Sequence, residues 1–176
     1  MLDLLRQRRS VRKFKPQPVE VEKITQLSEA LLRAPTSRNM QPCDFVLVDD
    51  SSILKQLTSA KGHGTSFFAT APLAVVVTAN PEISDVWIED SSIAAIIVQL
   101  TAERLGLKSC WAQLRLRVHN DDTSASEYVR QLVGIPEGIE VPMVIAIGYP
   151  DEDKGGHPRS SLASTKIHYN RFNQLN

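Results

Sequence analysis

The chain has 176 residues, 42% of them hydrophobic and 23% charged, with 20 basic residues balanced by 20 acidic ones. That composition fits one soluble globular domain with a sizeable core, and the zero formal charge disfavours bulk attraction to nucleic acid or to a membrane surface. Cys43 and Cys110 are too few and too widely spaced for a disulfide framework or a metal site, and no stretch approaches about 18 uninterrupted apolar residues, so a reduced, cytoplasmic protein without a membrane span is expected.

The charge is unevenly placed. Arg6-Gln7-Arg8-Arg9-Ser10-Val11-Arg12-Lys13-Phe14-Lys15 holds six cations in ten residues. An Arg-rich start also suggests a mitochondrial presequence, but Asp3, Glu20 and Glu22 argue against it. Residues 2–9 read as a short helix with Leu2 and Leu5 on one side, and Pro16 and Pro18 prevent its continuation. On a helix, Arg8, Arg12 and Lys15 would gather on one side. Guanidinium groups clustered around a serine suit a multiply charged oxyanion, because each offers a planar, bidentate fork. The competing readings are a solvated basic face or a patch for RNA. RNA recognition also asks for exposed aromatics, and only Phe14 lies near the run.

Val21, Ile24, Leu27 and Leu31 recur at helical spacing and predict an amphipathic helix. Residues 34–42, bounded by Pro35 and Pro42, read as a loop rich in polar side chains. Residues 45–48 form a strand, and Ser52 is placed to cap a short helix carrying Ile53, Leu54 and Leu57. Gly62-His63-Gly64 breaks it. The apolar run from Leu73 to Val77 predicts a strand buried on both faces. Asp90-Ser91-Ser92 precedes a helix from Ile93 to Leu105 with apolar residues all round, which implies a buried central helix or an oligomer interface. Gly106 suits its C-terminal stop. Residues 108–112 predict a short strand. Ser124-Ala125-Ser126-Glu127 has the capping-box pattern and opens a helix ending before Gly134. Residues 144–147 are the last strand. The tail, 151–176, is polar and contains proline and glycine, with two aromatics, Tyr169 and Phe172, near its end and no core of its own, so it is expected to pack on a partner subunit. The order predicts a four-strand mixed sheet with helices packed on it.

No nucleophile elbow, Walker A loop, dinucleotide fingerprint or zinc-protease helix is present. His63, His119, His157 and His168 are scattered without metal spacing. What remains is a set of oxyanion and hydrogen-bonding groups without acid–base machinery. Such a set suits an organic cofactor that carries the difficult chemistry itself. Ser37, Asn39 and Gln41 alternate along the loop, so an extended segment would present hydroxyl and amide groups to one side, matching the edge of a heterocycle or a polyol. They also suit plain turn positions.

Five motifs in order, R-R-S-V-R-K-F, A-P-T-S-R-N-M-Q-P, I-E-D-S-S-I-A-A, G-L-K-S-C-W and I-G-Y-P, resemble those of the FMN-dependent nitroreductase family across nearly the whole chain. The resemblance implies an α+β fold with a mixed, mainly antiparallel sheet of four to five strands flanked by helices. It also implies a single FMN-binding domain over 1–176 and an intertwined, domain-swapped homodimer with FMN at the interface. Carried over by position, Arg8, Arg9, Ser10 and Arg12 hold the FMN phosphate and the polar edge of the ring. Pro35, Thr36, Ser37, Asn39 and Gln41 form the loop that reaches the flavin bound mainly by the other subunit. Ala112, Gln113 and Leu114 pass beside the ring, where the backbone N–H groups of Gln113 and Leu114 lie near N5 and O4. Arg159 corresponds to a late basic residue that completes the phosphate site.

The implied activity is transfer of a hydride from NAD(P)H through flavin N5 to a nitroaromatic, quinone or similar small-molecule acceptor. The alternatives are a non-catalytic flavin-binding or sensory protein, or a specialised flavin-fold enzyme such as a reductive dehalogenase. Two departures stand out: Cys43 follows the Gln-Pro pair where many members carry an aromatic, and only about a dozen residues separate the strand ending near Thr78 from the central helix.

Overall fold

The β-branched run after Pro72 decides the architecture. In the computed structural model, which describes residues 1–174, strand β2 (Leu73–Ala79) is buried along its whole length. It lies between β1 (Cys43–Val48) and β4 (Glu140–Gly148), with β3 (Lys108–Gln113) on the far edge, in the order β1-β2-β4-β3. All ladder pairings are antiparallel, and a parallel bridge joins Ser10 to Ser109 on the outer edge of β3. The α+β fold expected from the sequence is the one observed.

Strand alternation divides the core into two layers. Ala74, Val76, Val144 and Ala146 pack with Leu54 and Leu57 of α3 (Ser51–Leu57), Phe67, Phe68, and Val129 of α5 (Ala125–Leu132). Leu73, Val75, Val77, Met143, Ile145 and Ile147 pack with Leu27 and Leu31 of α2 (Val21–Leu32) and with Ala94, Ala95, Val98 and Ala102 of α4 (Trp87–Arg104). Burial at about 25 cal/mol per Å² of apolar surface on both faces is what holds the central strands in place.

Local chemistry sets the helix ends. The carboxylate of Asp50 caps α3 by accepting from the N–H groups of Ser52 (2.7 Å) and Ile53 (3.1 Å). Ser52, expected to be the cap, lies inside the first turn. Ser124 caps α5 as its motif predicts, its hydroxyl accepting from the Glu127 N–H at 3.0 Å. Helix α4 starts at Trp87, so Asp90 and Ser91 fall inside it and are buried. It stops before Gly106, whose φ of +76° is the left-handed conformation that closes a helix. One side of α4 faces the sheet. On the other, Ile93 and Ile96 are 37% and 38% exposed and form a stripe with the half-buried Ile97 and Leu100.

Two further local expectations fail. Helix α1 covers only Leu2–Gln7, and Arg8 is already extended. From there the run lies along the sheet: the Val11 N–H donates to the Ser109 carbonyl (3.1 Å), Lys15 N–H to Tyr149 (2.9 Å), and Asp151 N–H to Lys13 (2.8 Å). Burial of Val11 and Phe14 secures this arrangement. No helix gathers Arg8, Arg12 and Lys15. The second failure is the 34–42 loop. Ser37–Asn39 is a 3₁₀ turn, and Arg38, Asn39 and Gln41 take left-handed φ values of 50°, 55° and 49°. The alternation of an extended segment is therefore absent.

The tail crosses the C-terminal end of α1. A Cβ on Gly156 would stand 1.5 Å from the Arg6 carbonyl oxygen, so only glycine permits the crossing. Beyond Pro158 the described side chains are almost all exposed, including Leu162, Ile167, Tyr169 and Phe172.

At the end of β4, a Cβ on Gly148 would lie 2.5 Å from Pro72 Cδ and 2.7 Å from Cγ. Gly148→Ala is expected to lose about 1–3 kcal/mol through overpacking, read as a lower urea midpoint with an unchanged slope. An unchanged midpoint would mean that the Pro72 contact is not tight.

Candidate functional site

The cationic run is pinned through its backbone, and apart from Arg6, paired with Asp3, its side-chain cations form no ion pair among the described residues. The Glu152 carboxylate accepts hydrogen bonds from the Arg12 N–H and, at 3.2 Å, from the Lys13 N–H. Lys154 Nζ closes the arrangement, 2.9 Å from Glu152 and 3.5 Å from the Ser10 carbonyl. The Arg12 backbone N–H is the main cause holding the Glu152 pKa below the ordinary carboxylate range, with Lys154 next. Arg9 donates to the Gly155 carbonyl at 3.0 Å. The guanidinium groups of Arg8 and Arg12 form no ion pair among the described residues. Arg12 also lies against the Cys110 thiol, whose pKa is pushed up by burial and pulled back by Arg12.

The run continues into the outer edge of β3. Because Ser109 turns its carbonyl outward to Val11, odd-numbered residues of β3 direct their backbone groups outward and even-numbered ones toward β4. The Gln113 N–H therefore faces out. The Leu114 N–H does not: it donates to the Pro142 carbonyl at 2.9 Å, which removes it from the expected ring-side pair. The side chains of Ala112 and Leu114 are buried, so only backbone can act at those positions.

Sequence reasoning missed Lys61. Its Nζ donates to the Gln113 carbonyl at 2.7 Å, while Arg117 donates to the Gln113 side-chain oxygen at 3.1 Å. Burial is the first cause lowering the Lys61 pKa, and the Arg117 charge the second. A lone lysine before a glycine break carries no signal of this contact, which spans 52 residues of sequence.

The second loop sits at the start of β1. Asp90 accepts from the Ser37 N–H at 2.9 Å, Thr36 Oγ1 accepts from the Gln41 N–H at 3.0 Å, and Arg38 pairs with Asp85. The side-chain amides of Asn39 and Gln41 are exposed and make no hydrogen bond among the described residues. Strand order places this loop at the β1 edge and the cationic run outside β3, four strand spacings or about 19 Å apart across the sheet. A single chain brings Arg8, Arg9, Ser10 and Arg12 alongside β3; it does not bring them to Pro35, Thr36, Ser37, Asn39 and Gln41. Arg159 lies in an exposed 3₁₀ turn of the tail, three residues beyond the Gly156 crossing at Arg6.

The sequence matches the profile of the Nitroreductase family over residues 5–65 and 54–149. The chain belongs to the nitroreductase family. Among solved structures, an FMN-dependent nitroreductase from Clostridium difficile R20291 is 42% identical with a TM-score of 0.95, over 98% of this chain and 100% of that one. A relative from Archaeoglobus fulgidus, provisionally named an NADH dehydrogenase/NAD(P)H nitroreductase, is 33% identical over 87% of each chain. The NADPH-flavin oxidoreductase of Vibrio harveyi is 28% identical over 96% of this chain and 72% of its own length. Within this nitroreductase fold, residues 80–86 between β2 and α4 form only turns, so no inserted lid element stands there. Arg159 falls beyond the matched residues.

Glu152→Gln tests the pinning. Its native pKa is lowered, so the carboxylate contributes stability above the ordinary glutamate range and loses it as pH falls through the lowered value. The variant is expected to be less stable than the parent at neutral pH, with the gap closing under acid conditions, and to exchange the Arg12 and Lys13 amide hydrogens faster. Equal stability at all pH values would remove Glu152 from this role.

Proposed function

We propose that the chain is an FMN-dependent NAD(P)H oxidoreductase that works as a homodimer, with each cofactor held between the β3 edge of one subunit and the 35–41 loop of the other. The observation that carries this reading is the pair of unneutralised guanidinium groups, Arg8 at the end of α1 and Arg12 on a backbone fixed by Glu152 and, through Val11, by Ser109. Holding two such cations without a carboxylate suits a dianionic phosphate. Family membership and the flavin named for two of the relatives point to the same cofactor.

The donor set fits FMN. Arg8, Arg12 and, from the tail, Arg159 supply phosphate charge. Arg9 and Ser10 border the ring edge and ribityl chain. The outward Gln113 N–H provides one fixed donor beside the ring, which favours added negative charge there. Asn39 and Gln41 carry exposed amides without internal partners, but on the far side of the sheet, so they serve a second copy of the site. The exposed stripe of Ile93 and Ile96, with Leu2 and Leu5 also exposed, supplies apolar surface for a partner. The exposed apolar residues of the tail suit the same partner.

The chemistry supplied by bound FMN is hydride transfer in two half-reactions, from NAD(P)H to N5 and from there to a nitroaromatic, quinone or similar conjugated acceptor. The protein residues bind and orient. No described side chain near the Gln113 backbone has the setting of a general acid or base, since Lys61 is engaged with a carbonyl and the Cys110 thiol is buried. Protons are then drawn from water. The open 80–86 segment leaves the acceptor side accessible.

The purified protein is expected to be yellow, with a flavin absorbance that bleaches on addition of NAD(P)H and returns on addition of an acceptor. A colourless protein that stays so after FMN is added sinks the cofactor assignment; a bound flavin inert to both nucleotides sinks the enzyme. Arg12→Ala should weaken FMN binding by about 1.5–3 kcal/mol, the worth of a hydrogen bond to a charged group. Titration of the flavin-free protein reads this directly, and unchanged affinity would remove Arg12 from the site.

A further inference from the structure

A second cation cluster stands on the same edge of the sheet. Lys61 and Arg117 both rest on Gln113, one on its backbone carbonyl at 2.7 Å and the other on its side-chain oxygen at 3.1 Å. The Gln113 amide nitrogen in turn donates to the Arg115 carbonyl at 2.9 Å, which fixes the side chain. Two neutral oxygens thus hold two positive charges. Neither cation forms an ion pair among the described residues. Lys61 is half-buried, so the arrangement is costly without an anion. The charged and titratable groups that bear on Lys61 are Arg117, which repels it, and Cys110. Each cation keeps N–H groups that Gln113 does not use.

Position says which anion would relieve this. Gln113 lies three residues along β3 from Cys110, where Arg12 sits, a distance of about 10 Å. The phosphate cations are thus one cluster and Lys61–Arg117 another. On the oxidoreductase reading the Gln113 N–H borders the flavin ring, and the second cluster rests on that same residue. The cluster would then border the place where reacting partners stack, away from the cofactor phosphate.

We propose that Lys61 and Arg117 form a substrate-selecting anion seat, which favours reacting partners carrying a negative group near the end that stacks beside Gln113. This rests on the oxidoreductase reading above. The anionic group has two sources, the extra phosphate that distinguishes NADPH from NADH, or a carboxylate on the acceptor. The two residues act by charge and placement, and no bond is made or broken on them.

The test uses the flavin-loaded dimer and two pairs of matched substrates, NADPH against NADH and 4-nitrobenzoate against nitrobenzene. The wild type is expected to favour the charged member of at least one pair in kcat/KM. Lys61→Gln with Arg117→Gln should reduce that preference about tenfold or more, the scale of a lost charge-assisted bond, while Lys61→Arg with Arg117→Lys retains it. Affinities for NADP⁺, NAD⁺ and 4-nitrobenzoate, followed by perturbation of the oxidised flavin spectrum, should move with the same charge dependence. The pair that responds identifies the source of the anion. Equal rates for both members of both pairs in the wild type, or preferences untouched by the double Gln variant, overturn the proposal. So does a variant that loses FMN and slows all four substrates alike, which would make the cluster a cofactor contact. A wild type that binds no FMN or oxidises no nucleotide fails earlier, at the oxidoreductase reading, and takes this proposal with it.

Discussion

A binding site for a highly charged group needs cations that are held still and yet not neutralised. The carboxylate of Glu152 meets both demands because it bonds backbone, not side chain. It fixes the Arg12 and Lys13 amides, while Lys154 takes up its charge. Had Glu152 paired with the Arg12 guanidinium, the run would be equally ordered and electrostatically silent. The neighbouring sheet contributes the rest of the order, through Ser109 and Tyr149 on one side of the run and the buried Val11 and Phe14 below it. Everything proposed for the cofactor depends on this separation of backbone fixation from side-chain availability.

The same edge of the sheet then grades the chemistry along its length. Near Ser109 and Cys110 it presents the Arg12 guanidinium; near Gln113 it presents one outward N–H flanked by Lys61 and Arg117. Antiparallel geometry is what assigns these directions, since alternate residues turn their backbone groups to opposite edges. Leu114 illustrates the rule from the other side. Its N–H is committed to Pro142, so the strand offers a single fixed donor at its end where the sequence suggested two.

Much of the fold is legible in the sequence. Leu73–Val77 reads as a doubly buried strand because it lacks polar alternation, and it is buried on both faces. The periodicity of Val21 to Leu31 and the cap of Ser124 on Glu127 also carried through to the structure. The failures share a cause: tertiary contacts overrode local pattern. Arg8 to Lys15 has charges at helical spacing, but pairing with Ser109 and Tyr149 draws it out straight. Arg38 and Gln41 occupy left-handed backbone that neither residue favours, in a loop held by the bonds of the Ser37 N–H to Asp90 and the Gln41 N–H to Thr36, and no propensity reading finds that. The acidic stretch at 151–153 faces the basic run in space, yet the two lie about 140 residues apart in sequence. The separation of the two recognition motifs across the sheet was invisible too, because it follows from strand order alone.

That separation is the most exposed part of the account. If a cofactor needs both Arg12 and Asn39, and one chain holds them at opposite edges, each site must draw on two subunits. Mixed dimers settle the matter. Arg12→Ala and Asn39→Ala chains, each expected to retain FMN poorly alone, are co-expressed with different tags and the mixed dimer isolated. In it one site carries both defects and the other carries neither. The account predicts recovery of flavin to about half the wild-type content per dimer, at wild-type affinity for the recovered site. Mixed dimers that retain no more flavin than either parent, or a chain that is monomeric with its flavin bound, would contradict it.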